Sequence, residues 1–374
     1  MSAPTRKPCV AVIFGGRSSE HAISCVTAGS VLRVIDRDRY DVIPVGITTT
    51  GRWVLERDDP GRLAISDPEH LPEVDESAPA LALVNQGAET VLVGEATTGK
   101  PQSFGPVDVV FPLLHGPWGE DGTIQGLLEM AGVRYVGAGV LASAIGMDKH
   151  YMKLVLRASG LPVLPYTAFT RTEWAADESA CAESVGSLRY PVFVKPCRGG
   201  SSIGISKVGG PGELAAAVEL AFRYDPKVIV EASAGGSVRE VECAVLEGFG
   251  DNPAHASVAA EISVDPAHDF YDFEAKYLGS DTTITVPAVL PDQVAETVQR
   301  LSVRAFDAIS CEGLARVDFF VIDEDRVVVN EINTMPGFTP SSMFPVMWAN
   351  SGIDYPHLVD RLIQLALHRD LGLR

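Results

Sequence analysis

The chain has 374 residues, and 30 Lys and Arg against 49 Asp and Glu leave it at −19. At about 150 residues per domain the length predicts two or three domains, and the acidic balance argues against nucleic acid or an anionic membrane as partner, since both demand cations to neutralise phosphates. With 46% hydrophobic and 21% charged residues the chain is able to bury a sizeable core, which excludes a disordered polymer.

Cys9, Cys25, Cys181, Cys197, Cys243 and Cys311 form no CxxC and have no His at zinc-ligand spacing. Neither a disulfide framework nor a structural zinc is expected, and a reducing compartment fits best. The apolar run at 9–14 stops at Gly15 and Gly16, too short for a signal segment or a membrane span. We therefore expect a cytoplasmic protein.

In chain order, apolar β-branched runs predict strands at 9–14, 41–47, 107–114 and 133–136, with helical patterns at 21–35 and 123–131. This alternation predicts a parallel, Rossmann-like α/β domain over residues 1–139. Within it, 56–105 is polar and rich in Pro and Gly, with strand character only at 80–84 and 91–93, and reads as a peripheral insertion. A second region, 140–235, has a helix near 147–158, a strand at 192–194, a Gly and Ser loop, a helix at 212–223 and a strand at 228–230. The third, 236–374, alternates strands with a long helix at 291–309 and ends in a helix at 354–368.

Two nucleotide signatures appear in damaged form. Residues 94–101, GEATTGKP, follow P-loop spacing but place Pro101 where a hydroxyl must reach magnesium, and no helix pattern follows. Gly137-Ala-Gly139-Val-Leu-Ala142 resembles a dinucleotide loop but lacks an acidic residue after a following strand, so it reads as a turn.

The sequence KPCRGGSSIG at 195–204 is more telling. A strand ends at Lys195 and enters a loop whose backbone N–H groups, with the Ser201 and Ser202 hydroxyls, suit a phosphate chain. Residues 315–333 read as a hairpin. A two-residue turn at Glu324 and Asp325 puts Asp318 opposite Glu331 and Arg316 opposite Asn333, all on one face, with Val317, Phe319, Asn330 and Ile332 on the other. Facing carboxylates repel unless a cation lies between them, and an oxygen-only set suits magnesium. The Gly-Pro loop at 334–342 offers backbone amides to an oxyanion. Glu20 and His115 sit in loops after two strands of the first domain, at the carboxyl edge where α/β sheets bind ligands.

Seven blocks then carry a family resemblance: FGGRSSEHAIS at 14–24, LHGPWGEDGTIQG at 114–126, GMDK at 146–149, KPCRGGSSIG at 195–204, FYDFEAKY at 270–277, ARVDFF at 315–320 and NEINTMPGFTPSSM at 330–343. The chain resembles the D-alanyl-D-alanine ligases of the ATP-grasp superfamily from Val10 to about Tyr355. That resemblance implies a two-part ATP-grasp fold after the Rossmann-like domain: a central lid part at 140–235 and a C-terminal part at 236–374 with the metal site and a mobile loop. It implies ATP, with two magnesium or manganese ions, and D-alanine as small-molecule partners, and a homodimer.

By the same resemblance Lys149, Lys195, Ser201, Ser202 and Lys276 meet the ATP phosphates, Glu231 holds the adenine side and Glu240 the ribose. Asp318, Glu331 and Asn333 hold the metal. Glu20 binds the ammonium of the first D-alanine with His115 nearby, and Arg316 and Gly337 steady the tetrahedral intermediate. Ser342, with Met343 beside it, anchors the second substrate. Lys276 and Tyr277 ride on the mobile loop, Tyr277 meeting Ser201 and Glu20. The turn from Glu231 to Glu240 is a little longer than the family's usual one. The alternatives are another ATP-grasp carboxylate–amine ligase, such as a carboxylase component or a peptide ligase, and a nonenzymatic nucleotide binder. A biotin-carboxylase or purine-synthesis enzyme has no need of the 270–277 block, and a nonenzymatic binder has no need of the complete set of reacting groups.

Overall fold

The computed structural model describes residues 6–65, 70–87, 89–95, 101–200, 203–264 and 282–372. Its first sheet has the order Trp53–Leu55, Asp41–Ile47, Cys9–Gly15, Val109–Pro112, Arg134–Tyr135. All neighbours are parallel except the antiparallel edge strand Trp53–Leu55. Every residue of Cys9–Gly15 is buried, as a central strand covered on both faces must be, and this explains its unbroken apolar run.

Alternation divides that strand between two cores. Val10, Val12 and Phe14 face the helices His21–Val34 and Tyr355–His368, while Ala11 and Ile13 face the helix Thr123–Ala131 and the insertion. The last helix of the chain thus returns to the first sheet. Tyr40 donates its hydroxyl to Asp360 at 2.6 Å, and Leu358, Leu362 and Ile363 join the core of Val10 and Phe14.

The insertion is a meander of Leu81–Asn85, Thr90–Glu95 and Pro101–Pro106. Its third strand, with Pro at each end, escapes the sequence pattern. Gly94 and Pro101 therefore belong to paired strands, and no helix follows them. Gly137 takes a left-handed φ of 98°, as a turn requires, but Gly139 caps the helix Val140–Met147, so the expected turn is also a helix start. A methyl on Gly313 would stand 2.8 Å from the Gly137 Cα, so the backbones cross here with no room for a side chain.

The helix expected near 147–158 is Lys149–Ala158, and a further helix, Val140–Met147, precedes it. Asp148 separates them because its carboxylate accepts from the amides of His150 (3.1 Å) and Tyr151 (3.2 Å), an N-cap that starts the second helix afresh. The next sheet is antiparallel, with the order Ser206–Val208, Val192–Pro196, Lys227–Ala232, Tyr166–Thr170. The helices Arg171–Ala176, Glu178–Gly186 and Pro211–Ala221 cover it over Phe169, Trp174, Val192 and Val218.

The last sheet, also antiparallel, runs Thr282–Thr285, His255–Val264, Val238–Leu246, Leu314–Ile322, Arg326–Asn333. One face packs on the helix Asp292–Ala308. The helix Met343–Asn350 covers Ala244, Leu246 and Ala260 on the other and joins them to the core of the first sheet. No helix among the described residues is long and apolar enough to cross a membrane.

Candidate active site

The hairpin places the site, although its turn differs from expectation. Ile322 pairs with Arg326, so the connection has three residues, Asp323, Glu324 and Asp325, the first two with φ of 49° and 71°. A bulge at Asn330 then restores the register, and Asp318 faces Glu331 and Arg316 faces Asn333 as the sequence predicts. The longer turn shifts the pairing by one residue and the bulge shifts it back. The bulge also turns Asn330 to the cleft side: with Asp318, Glu331, Lys149, Lys195, Gly199, Gly200, Glu231 and Glu240, it lines a cleft of about 300 Å³ between the last two sheets.

Within the cleft Asp318, Glu331 and Glu231 each meet a cation. Arg316 grips Asp318 with Nε and Nη2, both at 2.7 Å, and its Nε also lies 3.0 Å from Glu242. Asn333 donates Nδ2 to Asp318 at 3.0 Å. Lys149, at the start of its helix, sits 3.3 Å from Glu331 and donates to the Gly199 carbonyl at 3.0 Å. Burial works against its charge, but Glu331 outweighs burial and holds the ammonium above its ordinary pKa.

Glu231 is 2% exposed, and its two oxygens are committed to Lys153 Nζ at 2.6 Å and Lys195 Nζ at 2.5 Å. Burial pushes its carboxyl up, yet the two lysines prevail and bring it down to about 2. Its carboxylate thus faces the lysines. Lys153 goes unnoticed in the sequence, although it lies one helical turn from Lys149, the spacing that puts two residues on one face. It also donates to the Asn330 carbonyl at 3.1 Å, which ties it to the bulge.

On the first sheet's carboxyl edge, Glu20 ends the segment leading into its helix without capping it through its side chain. Gly116, at φ 71°, lies so close that a methyl there would stand 2.6 Å from Glu20 Oε2 and 2.9 Å from Ser18 Oγ. A Cβ on Gly200 would lie 3.8 Å from the same Oε2, so the phosphate-type loop and Glu20 adjoin. His115 is buried, with Nδ1 directed at the Met335 carbonyl and Nε2 at the Thr27 hydroxyl, both at 3.2 Å. The carbonyl requires the proton on Nδ1. Burial lowers the imidazole pKa and Glu20 offsets only part of this, so the ring is neutral.

Glu120, given no role from sequence, accepts the Gly116 amide at 2.7 Å. Burial, with the Glu20 charge adding to it, pushes its carboxyl up to about 8. In the 334–342 loop, Gly337 packs against Ser342, whose Oγ would be 3.2 Å from a Cβ there. Ser342 Oγ accepts from the Thr339 amide at 3.1 Å and lies 2.7 Å from its hydroxyl. Met343 is buried in the apolar core beside Phe338 and Phe344. Glu240 stands on the cleft rim opposite Phe320 and Ile262. Ser201, Ser202, Lys276 and Tyr277, and with them the predicted mobile loop, lie outside the described residues.

Among the described residues no three His, Cys, Asp or Glu side chains form a metal cluster. The expected donors are two carboxylates and an amide, and each carboxylate is balanced by Arg316 or Lys149. The donor set still fits magnesium. It is oxygen-only once the Asn333 amide turns its oxygen inward, and magnesium takes few protein ligands because substrate phosphates and water complete its shell.

A cleft between two antiparallel sheets, lined by lysines and facing carboxylates and abutting a Rossmann-like domain, defines an ATP-dependent ligase of the ATP-grasp fold. A family described as D-ala D-ala ligase N-terminus matches residues 9–138, and D-ala D-ala ligase C-terminus matches 155–364. The chain is 56% identical over 370 residues to the D-alanine–D-alanine ligase of Arthrobacter sp. (strain FB24), covering 98% of this chain and 96% of that one. It is 56% identical over 381 residues to the ligase of the same name from Streptomyces griseus, covering 100% and 96%. Among solved structures it superposes on the D-alanine-D-alanine ligase from Coxiella burnetii with a TM-score of 0.79 at 36% identity, covering 96% and 94%. A D-Ala:D-Ser ligase from Enterococcus faecalis gives 0.82 at 34%, covering 96% and 100%. The chain belongs to the D-alanine–D-alanine ligase family.

Proposed function

We propose that the chain joins two D-alanines at the expense of ATP, through a D-alanyl phosphate, to give D-Ala-D-Ala, ADP and phosphate for peptidoglycan precursor synthesis. The observation that carries this reading is the meeting of Glu20 with the Gly199–Gly200 loop: it sets an ammonium-binding carboxylate beside a phosphate-binding loop. A first D-alanine with its ammonium on Glu20 can then turn its carboxylate toward the γ-phosphate.

A carboxylate is a poor electrophile, so phosphorylation must precede attack by the second amine. Lys149 and Lys195 offset charge on the phosphates, with the backbone of the Gly199–Gly200 loop and the hydroxyls of Ser201 and Ser202. Asp318, Glu331 and Asn333 would hold magnesium or manganese, two ions in our reading, and the metal would neutralise phosphate charge. Arg316 and the Gly337 amide then face the tetrahedral oxyanion. Ser342, backed by Met343, receives the second carboxylate. His115, held neutral between Thr27 and Met335, shapes the first D-alanine's pocket without repelling its ammonium. Glu240 takes the ribose, and Glu231 supports the adenine side through its strand. Lys276 and Tyr277 complete the set over the phosphates and the amine.

In this reading residues 1–139 bind substrate, 140–235 form the ATP-grasp lid part and 236–374 carry the metal site, in a cytoplasmic homodimer. Phosphate release with ATP and single D-amino acids, with the dipeptide identified by mass spectrometry, tests the function. D-alanine is expected to outcompete D-lactate as acceptor from about pH 6 to pH 9, because Tyr277, neutral until about pH 10, does not repel the ammonium as a protonated imidazole would. Predominant D-Ala-D-Ser would favour the alternative raised by the Enterococcus faecalis structure, and predominant ester at pH 6 would remove Tyr277 from the account.

A further inference from the structure

The turn between Glu231 and Glu240 roofs the cleft: Ala232, Ser233, Ala234 and Val238 all line it. The chain leaves the middle sheet after Ala232, turns through Gly235 and Gly236, both at φ 66°, and enters the last sheet where Val238 pairs with Ile322. One residue beyond that last pair, the turn meets the hairpin connection. The Ser237 amide donates to Asp323 Oδ1 at 3.0 Å, and the Asp323 amide donates to the Ser237 carbonyl at 2.9 Å. The Asp323 carboxylate fills the place a Gly236 side chain would need, so any methyl there would collide with it. Arg239 secures the other flank, bidentate to Glu261 at 2.7 Å and donating to the Val289 carbonyl at 2.7 Å.

We propose that Asp323 is a positioning residue for the nucleotide: by clasping Gly236 and Ser237 it holds the turn in the shape that roofs the cleft, and so sets nucleotide affinity without touching the nucleotide. A roof held in place before binding spares the ligand the cost of ordering it, and loss of the clasp lowers the fraction of molecules competent to bind. The three-residue connection is what makes the clasp possible, because its left-handed Asp323 and Glu324 swing the Asp323 amide and carboxylate back toward Ser237. The strand that ends just before Asp323 carries Asp318, five residues away and about 17 Å along an extended chain. One rigid ladder therefore spaces the roof from the metal-binding carboxylates, over a length of the order that an extended nucleoside triphosphate spans.

This inference rests on reading the cleft as the ATP site, and the experiment separates the two. ADP is titrated without metal into the full-length wild type and into the Asp323→Ala and Asp323→Asn variants by calorimetry, and the KM for D-alanine is measured alongside. Asp323→Ala is expected to weaken ADP about five- to ten-fold with the D-alanine KM and kcat at saturating ATP within about two-fold. Asp323→Asn, whose amide oxygen still accepts from Ser237, is expected to bind ADP within about two-fold of wild type. Unchanged ADP affinity in Asp323→Ala, an asparagine variant as weak as the alanine, or a parallel rise in the D-alanine KM would each overturn the clasp. Absence of ADP binding to the wild type would overturn the cleft assignment, and the clasp with it.

Discussion

Lys153 and Lys195 close on opposite oxygens of one buried carboxylate, Glu231, at 2.6 and 2.5 Å. Burial lowers the pKa of Lys153 while Glu231 opposes this, and Lys195, the more exposed of the two lysines, is the one that lines the cleft. Lys153→Met is expected to destabilise the fold by about 3–5 kcal/mol, the usual cost of breaking a buried pair. Chemical denaturation at pH 7 reads the loss. A variant as stable as wild type would mean that Lys195 alone satisfies Glu231.

The same carboxylate gives an acid limb to stability. Its pKa is about 2 in the fold against an ordinary 4.5, so its contribution is whole above about pH 4.5 and disappears as pH falls toward 2. Denaturation of Glu231→Gln is expected to lack that limb. An acid transition identical to that of wild type would assign it to other groups.

Glu120 makes the opposite prediction. A carboxyl raised from 4.5 to about 8 binds a proton in the fold that the unfolded chain has released, so it costs stability as pH rises from 4.5 to 8. Glu120→Gln keeps an acceptor for the Gly116 amide and is expected to gain about 1–3 kcal/mol on wild type between pH 5 and pH 9. Parallel stability–pH curves would refute the raised value.

Gly116→Ala is expected to act on substrate binding. The added methyl meets Glu20 Oε2 at 2.6 Å, and a left-handed φ strains any residue with a Cβ. The KM for D-alanine at the first subsite is expected to rise about ten-fold or more while ADP affinity changes little. Equal loss in both would show a general collapse of the loop.

Glu331→Gln fits the same space but cannot neutralise a cation, and it leaves Lys149 without its carboxylate. Turnover is expected to fall at least about 100-fold, and calorimetry is expected to show weaker magnesium binding to the ADP complex, with circular dichroism unchanged. Near-normal turnover at saturating magnesium would sink the metal assignment.

Much of this was legible in the residues themselves, because local chemistry dictates it. The buried run of Cys9–Gly15, the amphipathic helix Asp292–Ala308 and the Asp318–Glu331 pairing follow from the periods of strands and helices. The clustering of glycine, hydroxyl and lysine at 195–202 likewise advertises phosphate binding. The pairing was reached through a turn one residue too short, because Asp323 and Glu324 both adopt left-handed angles, uncommon for a residue such as Glu, and a bulge at Asn330 compensates. Neither departure leaves a local mark. Lys153 and Glu120 escaped for a related reason: a charged residue on a helix or in a loop looks solvated until distant segments cover it. For Lys153 the cover is Glu231 and the Asn330 carbonyl, and for Glu120 the distant groups are Glu20 and the Met335 backbone, beside its local contact with the Gly116 amide. The sequence by itself determined most of the elements and the Asp318–Glu331 pairing, because both depend on neighbours a few residues apart. Only the tertiary structure decided which charges are paired and buried and where the last helix packs, since those energies arise between residues far apart in the chain, 320 positions for Tyr40 and Asp360.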